Sequence, residues 1–382
     1  MIIAALTALA GCGGEPEQNG EARIVTPAEN AALDVAAAAA ARRTEPAPAV
    51  AYAPPAESAS APPAETASAA EQEQAAPAAA AIETFGVSPI PRRVEFDAEL
   101  AALGERLYHD PVLSIDGSIS CSTCHLLHKG GTDQLPVSRG VGGALGGVNA
   151  PTTYNSAQNF AQFWDGRAAT LEEQALGPVE NPIEMANSWP NAVQSVSADP
   201  EYRSAFETLF GGEISRETIA RAIAEFERTL ITPDSRFDDY LRGDASALTQ
   251  QEIRGFRLFN ELGCASCHTG DYFGGESFQV LNAQYFEERG GPIEEGDLGR
   301  FNVTGQEADR HAFKIPMLRN VAVTFPYFHD GQVADLATAV RLMARLQLGL
   351  ELEDDEADAI VAFLEALTGQ YRGAPLDRVA PR

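Results

Sequence analysis

Two runs place thiols and imidazoles at a spacing that does chemistry: Cys121-Ser-Thr-Cys124-His125 and Cys264-Ala-Ser-Cys267-His268. On a helical turn, residues three and four apart share a face. Two thiols there can add to the two vinyl groups of a haem, and the adjacent histidine then meets the iron as its proximal ligand. Zinc would need four ligands and gives no reason for a histidine directly after each pair. A thioredoxin-like dithiol would sit in an alternating β-α pattern, which this sequence lacks. The pattern therefore predicts two covalently attached c-type haems, one on Cys121, Cys124 and His125 and one on Cys264, Cys267 and His268. The opposite axial face decides what each does: a six-coordinate haem moves electrons, and an open one does chemistry.

The elements that must position these motifs read mainly as helix and long loop. Asp97 is placed to cap a helix carrying Leu100, Leu103 and Leu107, which stops before Pro111. "ETIARAIAEFERTL" puts Ile219, Ala222, Ile223, Phe226 and Leu230 on one stripe. Thr249 and Glu252 form a capping-box pattern opening a helix that leads into Cys264. "EADAIVAFLEALTG" aligns Ile360, Val361, Leu364 and Leu367, with Gly369 expected to close that helix. Alternating strand patterns are scarce. The body divides near Pro233 or Asp244 into halves of similar size, each with one C-x-x-C-H.

The chain has 382 residues, with 55 acidic and 27 basic side chains and a formal net charge of −28; its only lysines are Lys129 and Lys314. This balance excludes nucleic acid as a partner. It suits a basic protein partner, with an association that weakens as salt rises, or simply a solvated acidic surface. Of the five cysteines, Cys12 alone stands outside the motifs. It ends the short apolar run "MIIAALTALAGC", which lacks a preceding Lys or Arg and is too short to span a bilayer, but has the form of a lipoprotein signal. Export to the periplasm, with an outer-membrane lipid anchor at Cys12, is the expectation. From Gly13 the composition is Ala, Pro, Glu, Ser and Gln, too poor in large apolar residues to offset its chain entropy, and reads as a disordered tether. The expected boundaries are a signal over 1–12, a tether over 13–85, haem domains over 86–234 and 235–372, and a tail over 373–382.

With both haem motifs, "NAPTTYN", "QFWDGRA", "LEEQALGPVENPIEM", "FKIPMLRNVAVTFPYFHDG" and "LMARLQLG", residues 86–372 resemble the bacterial di-haem cytochrome c peroxidases. The resemblance implies two cytochrome-c-like haem domains packed together. It implies a low-potential first haem that meets hydrogen peroxide and a high-potential second haem, ligated by His268 and Met343, that accepts electrons. A thioether ligand raises a haem's potential, as an accepting site needs. It carries the distal acid/base onto Glu184, an orienting amide onto Gln174 and an electron relay onto Trp164. It also implies a calcium ion held by Asn149 and the carbonyls of Thr324 and Pro326, a chemistry of oxygen ligands that suits calcium. The electron donor would be a small cytochrome c or a cupredoxin, and a homodimer is among the assemblies the resemblance allows. The same superfamily contains di-haem oxidases that mature the tryptophan-derived cofactor of methylamine dehydrogenase. Those carry tyrosine where this chain has Met343. Such an oxidase and a plain di-haem electron carrier are the alternatives.

One position departs from the family. A histidine that closes the resting first haem, and leaves only after the second is reduced, falls on Val141 in "SRGVGG". Valine cannot ligate iron. His128 is the candidate replacement, although it follows its own haem-attachment turn too closely to swing over easily. His329 matches a family position near the haems, and His109 and His311 read as structural. The expectation is a first haem open without reductive activation.

Overall fold

The computed structural model describes residues 86–376, so the signal, Cys12 and the 13–85 tether lie outside the described residues. The principal helices are α1 (Ala98–His109), α2 (Leu171–Glu180), α3 (Arg216–Arg228), α4 (Gln250–Glu261), α5 (Leu336–Met343) and α6 (Asp354–Glu365). Asp97 caps α1 by accepting from the amides of Glu99 and Leu100, and Thr249 with Glu252 completes a capping box at α4. Strands are two or three residues long: β1 (Phe278–Val280) pairs antiparallel with β2 (Ala312–Lys314), and β3 (Gln370–Tyr371) with β4 (Ala374–Pro375). No helix among the described residues is long and apolar enough to cross a membrane.

The two largest hydrophobic cores organise the described residues. Leu103, Leu107, Trp189, Ile219 and Ile223 centre the first. An aromatic cluster of Phe237, Phe256, Phe259, Phe273 and Phe363 fills the second, with Phe237 and Phe363 edge-to-face at 5.3 Å. The two halves repeat one construction. α1 lies so close to α3 that a Cβ on Gly104 would sit 1.8 Å from the Ala222 carbonyl oxygen. α4 meets α6 the same way, a Cβ on Gly255 falling 1.9 Å from the Ala359 oxygen. In each pair a phenylalanine four residues on, Phe226 or Phe363, abuts the same glycine. Left-handed Asn155 and Asn320 then tie the loops below: their amides donate to the carbonyls of Leu230 and Leu367, and their Oδ1 atoms accept from Thr232 and Gly369.

The ends of the described chain cross over. Val87 packs in the second core, and the Ile90 amide donates to Asp238. Tyr371 and Leu376 pack with Tyr108, Tyr154 and Phe226 of the first half. Gly369 does not close α6, which ends at Glu365 with Ala366 as its C-cap; a Cβ at Gly369 would instead lie 2.1 Å from the Thr232 carbonyl, so close approach explains the glycine.

The helix crossings give a stability prediction. Gly255→Ala forces a methyl into backbone and is expected to cost about 1–3 kcal/mol or more. Gly147→Ala, where a Cβ meets nothing within 4 Å, is the control and should leave thermal unfolding unchanged. Equal melting temperatures for the two variants would refute the close-crossing account.

Candidate functional site

The second motif opens onto a cleft whose walls include Cys264, Cys267, His268, Met343, Trp164 and Lys314. α4 delivers the motif through the left-handed Gly263. His268 Nδ1 lies 3.0 Å from the Phe273 carbonyl oxygen, and burial pulls the imidazole below its ordinary value, against the carbonyls of Phe273 and Pro316. A neutral ring donating from Nδ1 keeps the Nε2 lone pair for a metal. Met343 ends α5 and enters a π-helical turn, Ala344–Leu348, on the same cleft. Such turns concentrate at functional sites. Of the other methionines, Met185 is core and Met317 packs on Gly275; neither lines the cleft. The cleft is predominantly apolar, and its two thiols, histidine and methionine make a donor set that would hold a c-type haem.

The first motif forms a short helix, Cys121–Cys124, behind Ser120. His125 repeats the second site: Nδ1 is 3.3 Å from the Gly131 carbonyl, and burial lowers the ring's pKa against the carbonyls of Gly131 and Pro151. The Tyr108 hydroxyl donates to the His125 carbonyl at 2.8 Å. Burial raises the thiols of Cys121 and Cys124 and pushes Cys264 up to about 11. These are not the depressed thiols of a dithiol oxidoreductase.

The repeat identifies what faces the first site. The turns Phe163-Trp164-Asp165-Gly166 and Phe328-His329-Asp330-Gly331 share a left-handed phenylalanine and glycine and matching bridges, Gln162 to Ala168 and Tyr327 to Val333. The helices that follow start alike, capped by Thr170 and Asp335. Counting from those caps, Gln174 stands where Ala339 lines the second cleft, and Pro178 stands where Met343 does. Proline has no side-chain ligand atom, so this helix offers the first site no sixth ligand at that position.

Glu184 follows in the turn after α2. Asn181 Nδ2 donates to its Oε1 at 2.6 Å, which leaves Oε2 uncommitted. Burial raises the Glu184 carboxyl, opposed by the Asn181 hydrogen bond and the charge of Arg167, and its charge acts on both Cys121 and Cys124. Gln174, Gly177 and Asn181 share one helical face, so the amide of Gln174 and the residue that holds Glu184 lie in line. Val141 also belongs here. Its amide donates to the Glu184 carbonyl at 2.9 Å, and its side chain packs against the same core cluster as Cys121. Gly140 is pressed against the same turn; a Cβ there would lie 2.1 Å from the Ile183 oxygen. His128 stays on the half-buried turn Leu127–Lys129.

Trp164 connects the halves. Its Nε1 donates to the Asn149 carbonyl at 2.9 Å, its own carbonyl accepts from Lys314, and its ring meets Phe313 edge-on. Phe313 in turn stacks on His329 at 4.2 Å. Asp297, His329 and Asp330 cluster as metal ligands do, but Arg289 already pairs with both carboxylates. Asn149 donates from Nδ2 to the Leu135 carbonyl at 2.8 Å, which leaves Oδ1 free to face a cation. Thr324 closes the turn Val321–Val323, with Pro326 two residues on.

Sequence reasoning passed over Pro178, Asn181, Arg167 and Lys314. The signal that finds them is internal: "FWDG" against "FHDG", and "NAP" against "KIP".

Fold and site together define a chain built from two c-type haem domains. A family profile described as "Di-haem cytochrome c peroxidase" matches residues 98–246. The chain is 51% identical over 286 residues to the cytochrome c peroxidase Ccp of Escherichia coli, a match covering 75% of this chain and 61% of that relative's length. It is 48% identical to the cytochrome c551 peroxidase of Nitrosomonas europaea, covering 77% of this chain and 87% of the relative. Among solved structures, a MauG-like protein associated with microbial copper homeostasis aligns with a TM-score of 0.66 at 31% identity, over 74% of this chain and 93% of that one. This chain belongs to the di-haem cytochrome c peroxidase family, and that membership implies two c-type haems.

Proposed function

We propose that the chain is a cytochrome c peroxidase that reduces hydrogen peroxide, with two electrons and two protons, to two molecules of water. The electrons come from a small periplasmic cytochrome c or a cupredoxin. The observation that supports this reading is the asymmetry of the repeat: Met343 lines the cleft of the second half, whereas the equivalent position of the first half is Pro178, with Gln174 one turn before it and Glu184 in the turn that follows. Bound haem supplies the redox-active iron at each site. Cys121, Cys124 and His125 hold the first, and Cys264, Cys267, His268 and Met343 the second. A thioether ligand suits the electron-accepting site because it raises the potential.

The residues around the first site then do the proton work. Glu184, oriented through Oε1 by Asn181, takes the proton from one peroxide oxygen on Oε2 and returns it to the departing oxygen. Gln174 orients the peroxide through its side-chain amide. Trp164, bonded to both halves, relays electrons between the sites. A calcium ion on Asn149 Oδ1 and the carbonyls of Thr324 and Pro326 would brace this junction. Periplasmic export on a lipid anchor at Cys12 completes the proposal.

A partner-modifying oxidase is the second reading, favoured by the likeness to a MauG-like structure and by the absence of a closing histidine at Val141. Met343 favours the peroxidase. Peroxide turnover by the purified di-haem protein, with a reduced small cytochrome c as donor, tests the proposal. Steady consumption of both is expected. Failure to turn over both as isolated and after one-electron reduction, in protein carrying two haems, would discard it.

A further inference from the structure

We propose that Lys314 is the counter-charge for a haem propionate at the second site, and that it holds the potential of that haem up. This rests on the reading that Cys264, Cys267 and His268 carry that haem.

Lys314 ends β2, is only 8% exposed and lines the cleft with His268 and Met343. Its Nζ donates to the uncharged Asn159 Oδ1 at 3.0 Å, and among the described residues no carboxylate pairs with it. Burial alone acts on the ammonium, pulling it down to about 8 with no neighbouring charge in support. An ammonium has three donors, of which Asn159 takes one. A buried cation without a counter-ion is costly, and proteins pair such groups. The partner expected in this cleft carries carboxylates of its own: a haem has two propionates. Lys314 therefore has a ligand-side partner in the loaded protein that the polypeptide does not supply.

The repeat makes this cation specific to one site. Asn149-Ala150-Pro151 and Lys314-Ile315-Pro316 are equivalent, each proline carbonyl lying against the histidine of its own motif. The first half thus has a neutral amide where the second has an ammonium. Reduction adds an electron to the haem, so a nearby positive charge favours the reduced form and raises the potential. Lys314 adds to the effect of Met343 in separating the two sites.

Redox titration of the holoprotein tests this with Lys314→Gln and Lys314→Arg, haem content being read from absorbance. Lys314→Gln is expected to keep two haems and to lower the reduction equilibrium constant of the second by about tenfold, a downward shift of 59 mV for a one-electron couple. The first haem should not move, and Lys314→Arg should restore most of the difference. Selective loss of the second haem in Lys314→Gln but not in Lys314→Arg would equally support pairing. An unchanged second potential in fully loaded Lys314→Gln, or equal defects in both variants, would overturn it. A protein that never carries the second haem would instead overturn the site assignment, which haem content reports separately.

Discussion

Glu184→Gln is expected to lower peroxide turnover by roughly two to four orders of magnitude, the usual worth of a positioned acid/base. Both haem spectra should survive. The substitution is isosteric, and glutamine Oε1 can still accept from Asn181 Nδ2 as Glu184 does at 2.6 Å. What it removes is the group proposed to accept and return a proton. The pH profile makes the same point. Burial raises the Glu184 carboxyl above its ordinary value, against Asn181 and Arg167. The form that takes the first peroxide proton is the carboxylate. Activity should therefore be lost as pH falls through a midpoint above the usual carboxylate range, and that acid limb should vanish in Glu184→Gln. Steady-state turnover across pH checks both. Near-normal turnover in the variant would remove Glu184 from the mechanism.

The local grammar of the chain was legible because helices announce themselves locally. Asp97, the Thr249–Glu252 box and the apolar stripe of Ile219, Ile223 and Phe226 each act within a turn or two, and each stands where its pattern places it. The haem motifs are equally local. Gly369 misled because a glycine after a helix signals a left-handed cap, whereas here it admits the Thr232 carbonyl, a neighbour far away in sequence. The same limit applies to the site. Nothing in the composition around Glu184 separates it from the chain's other carboxylates; its burial and the Val141 amide on its carbonyl are tertiary facts. Lys314 looks like one more surface lysine until β2 buries it. The exchange of chain ends, Val87 into the second core and Tyr371 against Tyr108, Tyr154 and Phe226 of the first half, leaves no periodic trace either. The repeat was present in the letters, but loops of different length between equivalent residues hide it from any fixed spacing.

The fully oxidised protein is expected to show a high-spin ferric component and to react with peroxide with no reductive trigger. Two positions carry this. Pro178 stands where the other half has Met343, and Val141 stands where the family resemblance implies a closing histidine. Neither side chain can ligate iron. The loop is also held: the Val141 amide is bonded to the Glu184 carbonyl, and Gly140 is packed against Ile183 and Glu184 too closely for any side chain. The Val141 side chain packs against the same core cluster as Cys121, and its backbone is bonded to the turn that carries Glu184. The flanking Gly142 and Gly143 take left-handed φ in open space, which gives the loop slack without steric cost. Val141→His is therefore expected to convert the high-spin signal to low-spin and to slow peroxide reaction of the oxidised protein by about tenfold, as when only about a tenth of molecules are open. Reduction of the second site should then restore reactivity. If the first site is open in this way, the native valine gives up a gate: an oxidised molecule would meet peroxide before an electron is stored next door, and donor supply through Trp164 would have to keep pace. Spin state by electron paramagnetic resonance, together with stopped-flow mixing of ferric protein and peroxide, reads both outcomes. A native ferric spectrum that is wholly low-spin, with peroxide inert until reduction, would mean that another side chain closes the first site. His128→Ala would then be the variant that opens it.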